Sequence, residues 1–147
     1  MTSAQAFDAD YNALLSRIYA ESPSTRVLVL PLPQAMLQLE SVMQNQSSQL
    51  LGACTNVWAQ YQICHNLTAP SDSDKPVVAD RLNSFNTSIK NAVTAHAAEG
   101  QDIRLAAGIE SITFKPTDID FDCFHPSPDG LNKIANSAWA STWWAQQ

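Results

Sequence analysis

Positive charge is scarce in this sequence, and what there is does not gather. Eight Lys and Arg stand against fourteen Asp and Glu in 147 residues, for a net charge of −6, and the basic residues are scattered singly. With no basic stripe to neutralise phosphates, no nucleic-acid partner is expected. Long apolar runs are missing too. The longest, Val27 to Leu32, is strand-length and ends in prolines, far short of the roughly 20 residues of a transmembrane helix. Residues 1–20 lack the basic-then-apolar pattern of a secretory leader, so any export address would lie on residues outside these. No internal repeat or low-complexity tract is visible.

What is present is ordinary for a globular protein: 45% apolar and 15% charged residues, too apolar for disorder. The length fits one domain or a piece of a larger one. A compact chain of this size hides a little under ~70% of its unfolded surface, enough for a real core.

The cysteines number three. Cys54 and Cys64, ten apart in a loop-like segment with Trp58 and Tyr61, would close a short loop and suit an oxidising compartment, leaving Cys123 unpaired. The alternative is three reduced, partly buried thiols.

Hydrophobic periodicity sets out the elements. Phe7, Tyr11, Leu14, Leu15 and Ile18 recur at helical spacing, with Thr2 and Gln5 as a capping box. Arg26 to Leu30 reads as a strand buried on both faces of a parallel sheet. A second helix is expected from about Gln34 to Gln49, with residues 51–75 irregular. Val78, Leu82, Phe85, Ile89, Val93 and His96 then step along one face of a helix that has Pro76 as an early residue and runs to Glu99, with Gly100 as its C-terminal cap. Ile103 to Ala107 reads as the last strand. A final helix starts at Pro128, capped by Ser127, with Leu131, Ile134, Ala135, Ala138 and Trp139 as its apolar stripe. Strands alternating with helices imply a parallel sheet covered on both faces.

The chemistry points to the loop before that final helix. Asp122 and His125, three apart, can face one cleft. The carboxylate then fixes the imidazole tautomer and leaves the other nitrogen to take a proton from a nucleophile. A plain capped loop, with Asp122 holding backbone amides, is the bland reading of the same spacing. Asp118, Asp120, Asp122 and Asp129 fit four positions of a calcium loop. Cys123 stands where that loop needs glycine, Pro126 interrupts it, and no helix precedes it, so no calcium site is expected. Nothing in the spacing of His65, His96 and His125 gathers them as metal ligands, and no cofactor is called for. Trp139, Trp143 and Trp144 read as core or as a loosely packed end rather than a sugar platform. Three Asn-x-Ser/Thr sequons, at Asn45, Asn66 and Asn86, are short enough to arise by chance.

The block Asp122-Cys123-Phe124-His125-Pro126-Ser127, followed by Gly130, Ile134-Ala135 and Trp139, resembles the final block of the SGNH (GDSL) serine ester hydrolases. Val27 to Leu30 with its proline-rich turn resembles the family's strand before a Ser-Ile-Pro-Asp-like turn. Trp58 to Cys64 resembles the cysteine-bearing insert of secreted bacterial members, and Arg81, Phe85 and Asn86 resemble their Tyr-Asn helix. The likeness runs along nearly all of the chain, and its last block is the specific part. It implies a single domain over 1–147, the C-terminal portion of a three-layer αβα fold with a flavodoxin-like parallel sheet whose N-terminal strands are missing. It also implies an extracellular ester hydrolase acting through an acyl-enzyme, with His125 as general base and Asp122 as its orienting acid. The substrate would be a small-molecule, lipid or carbohydrate ester. The family's Gly-Asp-Ser and Gly-x-Asn blocks do not occur in these 147 residues, and residues 1–20 match best the helix just after the Gly-x-Asn block. The chain alone is therefore expected to hydrolyse no ester. Its open sheet edge would drive self-association or recruit a partner chain carrying the first strands. The alternative is a non-catalytic fragment or partner-binding module that keeps the family's C-terminal fold.

Overall fold

A computed structural model of the chain describes residues 2–44, 48–62, 64–68, 71 and 73–145. Its contacts divide into two compact units. The first takes Met1–Leu32, Asp80–Ile109 and Ser137–Gln147; the second takes Pro33–Ala79 and Glu110–Asn136.

In the first unit, α1 (Ala4–Glu21) opens on Ser3, whose hydroxyl accepts the Ala6 amide at 3.0 Å. The cap thus falls one residue after the expected Thr2. Leu15 and Tyr19 are the buried residues of α1, while Leu14, expected on the apolar face, is exposed. Phe7 stacks on Phe85 with ring centroids 4.2 Å apart. The β-branched and leucine runs form two short strands, β1 (Val27–Val29) and β2 (Ile103–Leu105), which pair in parallel with Val27 opposite Ile103 and Val29 opposite Leu105.

Alternation puts Val27, Val29, Ile103 and Leu105 on one face of this pair. There they pack with Leu15 and Tyr19 of α1 and with Ile89, Ala92 and Val93 of the long helix α5 (Asp74–Ala98). The opposite face carries Leu28 and Arg104. Arg104 donates to the Thr142 carbonyl at 3.0 Å and lies over the Trp143 ring at 4.9 Å. An arginine and a C-terminal turn meet that face rather than a second helical layer. The expected three-layer αβα, flavodoxin-like fold is therefore corrected: the described residues form a mostly helical structure with a two-stranded parallel sheet. Beyond 27–29 and 103–105, no described segment forms a strand.

Helix α5 carries Pro76 in its first turn, as expected, and stops where Gly100 takes a left-handed φ of +84°, the conformation glycine adopts without penalty. Asn86, on α5, is 1% exposed. Its side chain accepts from the Leu32 amide at 2.8 Å and donates to the Leu32 carbonyl at 2.9 Å. The amide that made Asn86 a sequon is a backbone clamp. Asn45 lies outside the described residues.

The second unit has no strand among its described residues. A 3-10 turn over Gln34–Gln38 leads into α2 (Leu39–Gln44). Then come α3 (Ser48–Tyr61) and a single turn, α4 (His65–Thr68). The expectation of an irregular segment from 51 is thus overturned by a 14-residue helix. Ala35, Leu39, Met43, Cys54, Trp58, Phe114, Ile119 and Cys123 form this unit's core. Helix α6 (Pro128–Trp139) begins as expected, with the Gly130 amide donating to Ser127 Oγ at 3.3 Å. Its apolar stripe is only half buried: Ile134 and Ala138 turn inward, whereas Leu131 and Trp139 are each 56% exposed. Among the described residues, no helix is long and apolar enough to cross a membrane.

Candidate functional site

The residues singled out as an acid–base pair sit on the loop 118–127 of the second unit, and backbone bonds close that loop at its base. Ile119 and Pro126 form an isolated antiparallel bridge. The Ser127 amide donates to the Asp118 carbonyl at 2.9 Å and the Asp120 amide to the His125 carbonyl at 2.8 Å. At the tip, the Cys123 amide donates to the Asp120 carbonyl at 2.9 Å. Gly130 is packed onto this base so closely that a Cβ there would lie 2.1 Å from the Asp118 carbonyl oxygen. No other residue fits.

Asp118, buried under the base, accepts the Lys115 amide at 2.7 Å and pairs with the Lys133 ammonium, which also donates to the Thr113 carbonyl. Burial alone would raise the Asp118 carboxyl. The Lys115 amide bond and the Lys133 bond and charge outweigh it and hold the group below the ordinary carboxylate value.

Asp122 uses both oxygens. Oδ1 accepts the backbone amides of Phe124 and His125, each at 2.9 Å, and Oδ2 lies 2.5 Å from His125 Nδ1. The bland reading of the spacing and the catalytic one therefore coexist in one side chain: the amides hold the carboxylate, and the carboxylate holds the ring. Partial burial pushes the Asp122 carboxyl up. The His125 ring, the two amides and the His125 charge push it down further, so its net position is below the usual range. The His125 side chain is 69% exposed and that of Asp122 30%. No described residue hydrogen-bonds the outer ring nitrogen, Nε2. Phe124, half-buried against the core, meets the His125 ring edge-on at 5.2 Å. Phe121, at the loop tip, is 92% exposed. A cavity of about 310 Å3 between Leu37, Leu67, Lys75 and Val78 does not include the pair. The His125 ring is open to solvent, and Asp122 lies more sheltered behind it.

The cysteines pair differently from the expectation. Cys54 is bridged to Cys123, with Cα atoms 5.4 Å apart, and Cys64 is a free, exposed thiol. The expected Cys54–Cys64 bridge fails for a geometric reason. Cys54 lies inside α3, and a helix advances about 1.5 Å per residue, which carries Cys64 beyond the ~7 Å reach of a disulfide. Trp58, one helical turn after Cys54, donates its indole N–H to the Cys123 carbonyl at 3.1 Å. Neither partner of Cys123 was marked as part of the site by sequence reasoning. The signal was their i, i+4 spacing, legible only once 48–61 is known to be helical.

The remaining sequence candidates go elsewhere. Asp120 Oδ1 accepts the amide of Phe121 at 2.7 Å, and the described residues contain no group of three or more His, Cys, Asp or Glu arranged to hold a metal. His96, 5% exposed, belongs to the first unit, where Nδ1 lies 2.5 Å from Gln101 Oε1 and the ring stacks on Tyr19. The His65 side chain lies outside what is described. Trp143 is held by Asp102, its indole N–H donating at 2.6 Å, and Trp139 and Trp144 lie near-parallel and exposed. Arg81 donates to the Thr2 carbonyl. Comparison of the chain with protein-family models, with curated proteins and with solved structures finds no match.

Proposed function

We propose that this chain carries the acid–base half of a serine ester hydrolase of SGNH type. His125 is the general base and Asp122 orients it. The observation that carries the reading is the double use of Asp122: Oδ1 fixed by the Phe124 and His125 amides, Oδ2 on His125 Nδ1. A carboxylate on Nδ1 selects the tautomer whose Nε2 is an unprotonated acceptor, and it stabilises the imidazolium formed when Nε2 takes a proton. The match of Asp122-Cys123-Phe124-His125-Pro126 with Gly130 to the family's last block supports the same roles.

In this reading the attacking serine and the oxyanion donors come from residues outside these 147. Serine Oγ attacks the ester carbonyl as Nε2 takes its proton. The imidazolium then protonates the leaving alcohol, and water repeats the sequence on the acyl-enzyme. Without the donors the tetrahedral intermediate forgoes a stabilisation worth about 2.7–4 kcal/mol for a single donor. The test is p-nitrophenyl acetate hydrolysis by the chain alone and by the chain mixed with a separately made segment bearing a Gly-Asp-Ser block. We expect background rates from the chain alone, and hydrolysis by the mixture that His125→Ala abolishes. Hydrolysis indifferent to His125→Ala would remove the assignment.

A further inference from the structure

Helix α3 grips Cys123 at two points. Cys54 and Trp58 are i, i+4 neighbours and so share one helix face. Cys54 holds the Cys123 side chain by a disulfide, and Trp58 donates to the Cys123 carbonyl at 3.1 Å. All three are buried, at 0%, 1% and 5% exposure. What they grip is unusual: Cys123 has a φ of +63°, left-handed backbone that a residue with a side chain rarely adopts.

The carbonyl that Trp58 holds belongs to the peptide unit joining Cys123 to Phe124. That unit is planar and trans, so its C=O and N–H point in opposite directions as one rigid plate. Its N–H end is the Phe124 amide, which donates to Asp122 Oδ1 at 2.9 Å. Fixing the carbonyl end therefore aims the amide end at the carboxylate. The other oxygen of that carboxylate lies on His125 Nδ1. The chain of contacts runs from Trp58 through one peptide plate to Asp122 and then to His125, and bonds in series polarise one another.

We propose that Trp58 is a positioning residue for the Asp122–His125 pair, acting through the Cys123–Phe124 peptide, with the Cys54–Cys123 bridge as the second point of the same clamp. This rests on the reading of His125 as a base, but its test needs no substrate, so the two can fail separately. The single hydrogen bond removed by Trp58→Phe leaves the ring in the core and the carbonyl without its donor. We expect the His125 Nδ1 proton, followed by NMR, to broaden or vanish, and amide exchange at Phe124 and His125 to quicken about five- to tenfold, the effect of losing one ordinary hydrogen bond.

Leu39→Ala is the control. It empties the same core at a 1%-exposed position outside the contacts that run from Trp58 to His125, and it should leave the Nδ1 proton in place. If Trp58→Phe does not fold, the wild-type chain is read after reduction of the bridge, confirmed by mass. That should loosen the Phe124 and His125 amides while the buried Ala106 amide, bonded to the Val29 carbonyl at 2.8 Å, stays protected. The proposal is overturned if Trp58→Phe destabilises the chain as Leu39→Ala does yet leaves the Nδ1 proton and both amides unchanged. It is overturned equally if reduction leaves them unchanged. Intact positioning with no hydrolysis in the complementation assay would instead count against the catalytic reading alone.

Discussion

The two units hold their shapes by different means. The first is regular: paired strands, two amphipathic helices and a core of Leu15, Tyr19, Val29, Ile89, Val93 and Ile103. Its irregular stretch at Leu32 is clamped by a single asparagine. The second has short helices, turns and a loop, and much of its geometry is set by side chains bonded to backbone: Asp118 on Lys115, Asp122 on Phe124 and His125, Ser127 on Thr117, Trp58 on Cys123, with a disulfide across it. The candidate site is in the second. A repetitive element offers one direction per residue, whereas a loop pinned by specific side chains can aim a carboxylate at an imidazole three residues away and keep it there. The requirement is that every pin be present.

The sharpest way to break that contrast is Gly130→Ala. A methyl 2.1 Å from the Asp118 carbonyl cannot be accommodated without opening the loop base, and we expect a loss above about 4 kcal/mol, in the range reserved for broken cores and strained backbone. Chemical denaturation measures it. A cost under about 1 kcal/mol would show that the loop base is soft.

The bridge comes next. Joining residues 69 apart in sequence should contribute about 4 kcal/mol. Its reduction should loosen the second unit before the first, so exchange at the Ile119 and Ser127 amides should rise while the Ala106 amide stays protected. Uniform loosening of both cores would contradict the division. Ile103→Ala should do the converse. It removes a buried side chain from the first core for about 2–4 kcal/mol and leaves the Asp122–His125 bond intact by NMR.

How much of this was legible follows the same line. The strands at 27 and 103, α1, α5 and the start of α6 were visible because periodicity, prolines and Gly100 are local signals that the folded chain keeps. The layering was misread because two strand-like runs flanked by helices imitate a fragment of a larger sheet. One face of this pair is wholly apolar, whereas the other sets Arg104 beside Leu28, and that arginine was the clue. Helix α3 reads as a loop because Gly52 and two cysteines punctuate the stretch from 51, although Leu50, Cys54, Val57, Trp58 and Tyr61 keep helical spacing. The disulfide was lost with it, since closeness in sequence is a poor guide once the segment is helical. The Asp122–His125 contact and the backbone amides on Asp122 were legible because they are local; the grip on Cys123 was not, because Trp58 lies 65 residues from it.

Acid gives a smaller effect. Asp118 and Asp122 both sit below the ordinary carboxylate value, so between their folded values and about 3.9 the unfolded chain binds more protons. Their contribution is fully present above about pH 5 and is lost as pH falls through the folded values. Urea midpoints from pH 6 to pH 3 should therefore fall for the second unit, and Asp118→Asn should flatten the slope. The least costly change is Asn86→Ala in the first unit. It leaves the Leu32 amide and carbonyl unpaired for about 1–3 kcal/mol, without moving His125.

The central claim is that Asp122 sets the tautomer of His125 so that Nε2 faces solvent as a base. Long-range 1H–15N correlation on the neutral ring reads this directly. We expect a proton on Nδ1 and a bare Nε2 in the wild type, with that preference lost in Asp122→Asn. A wild-type ring protonated on Nε2, or a tautomer ratio that Asp122→Asn leaves unchanged, would contradict it.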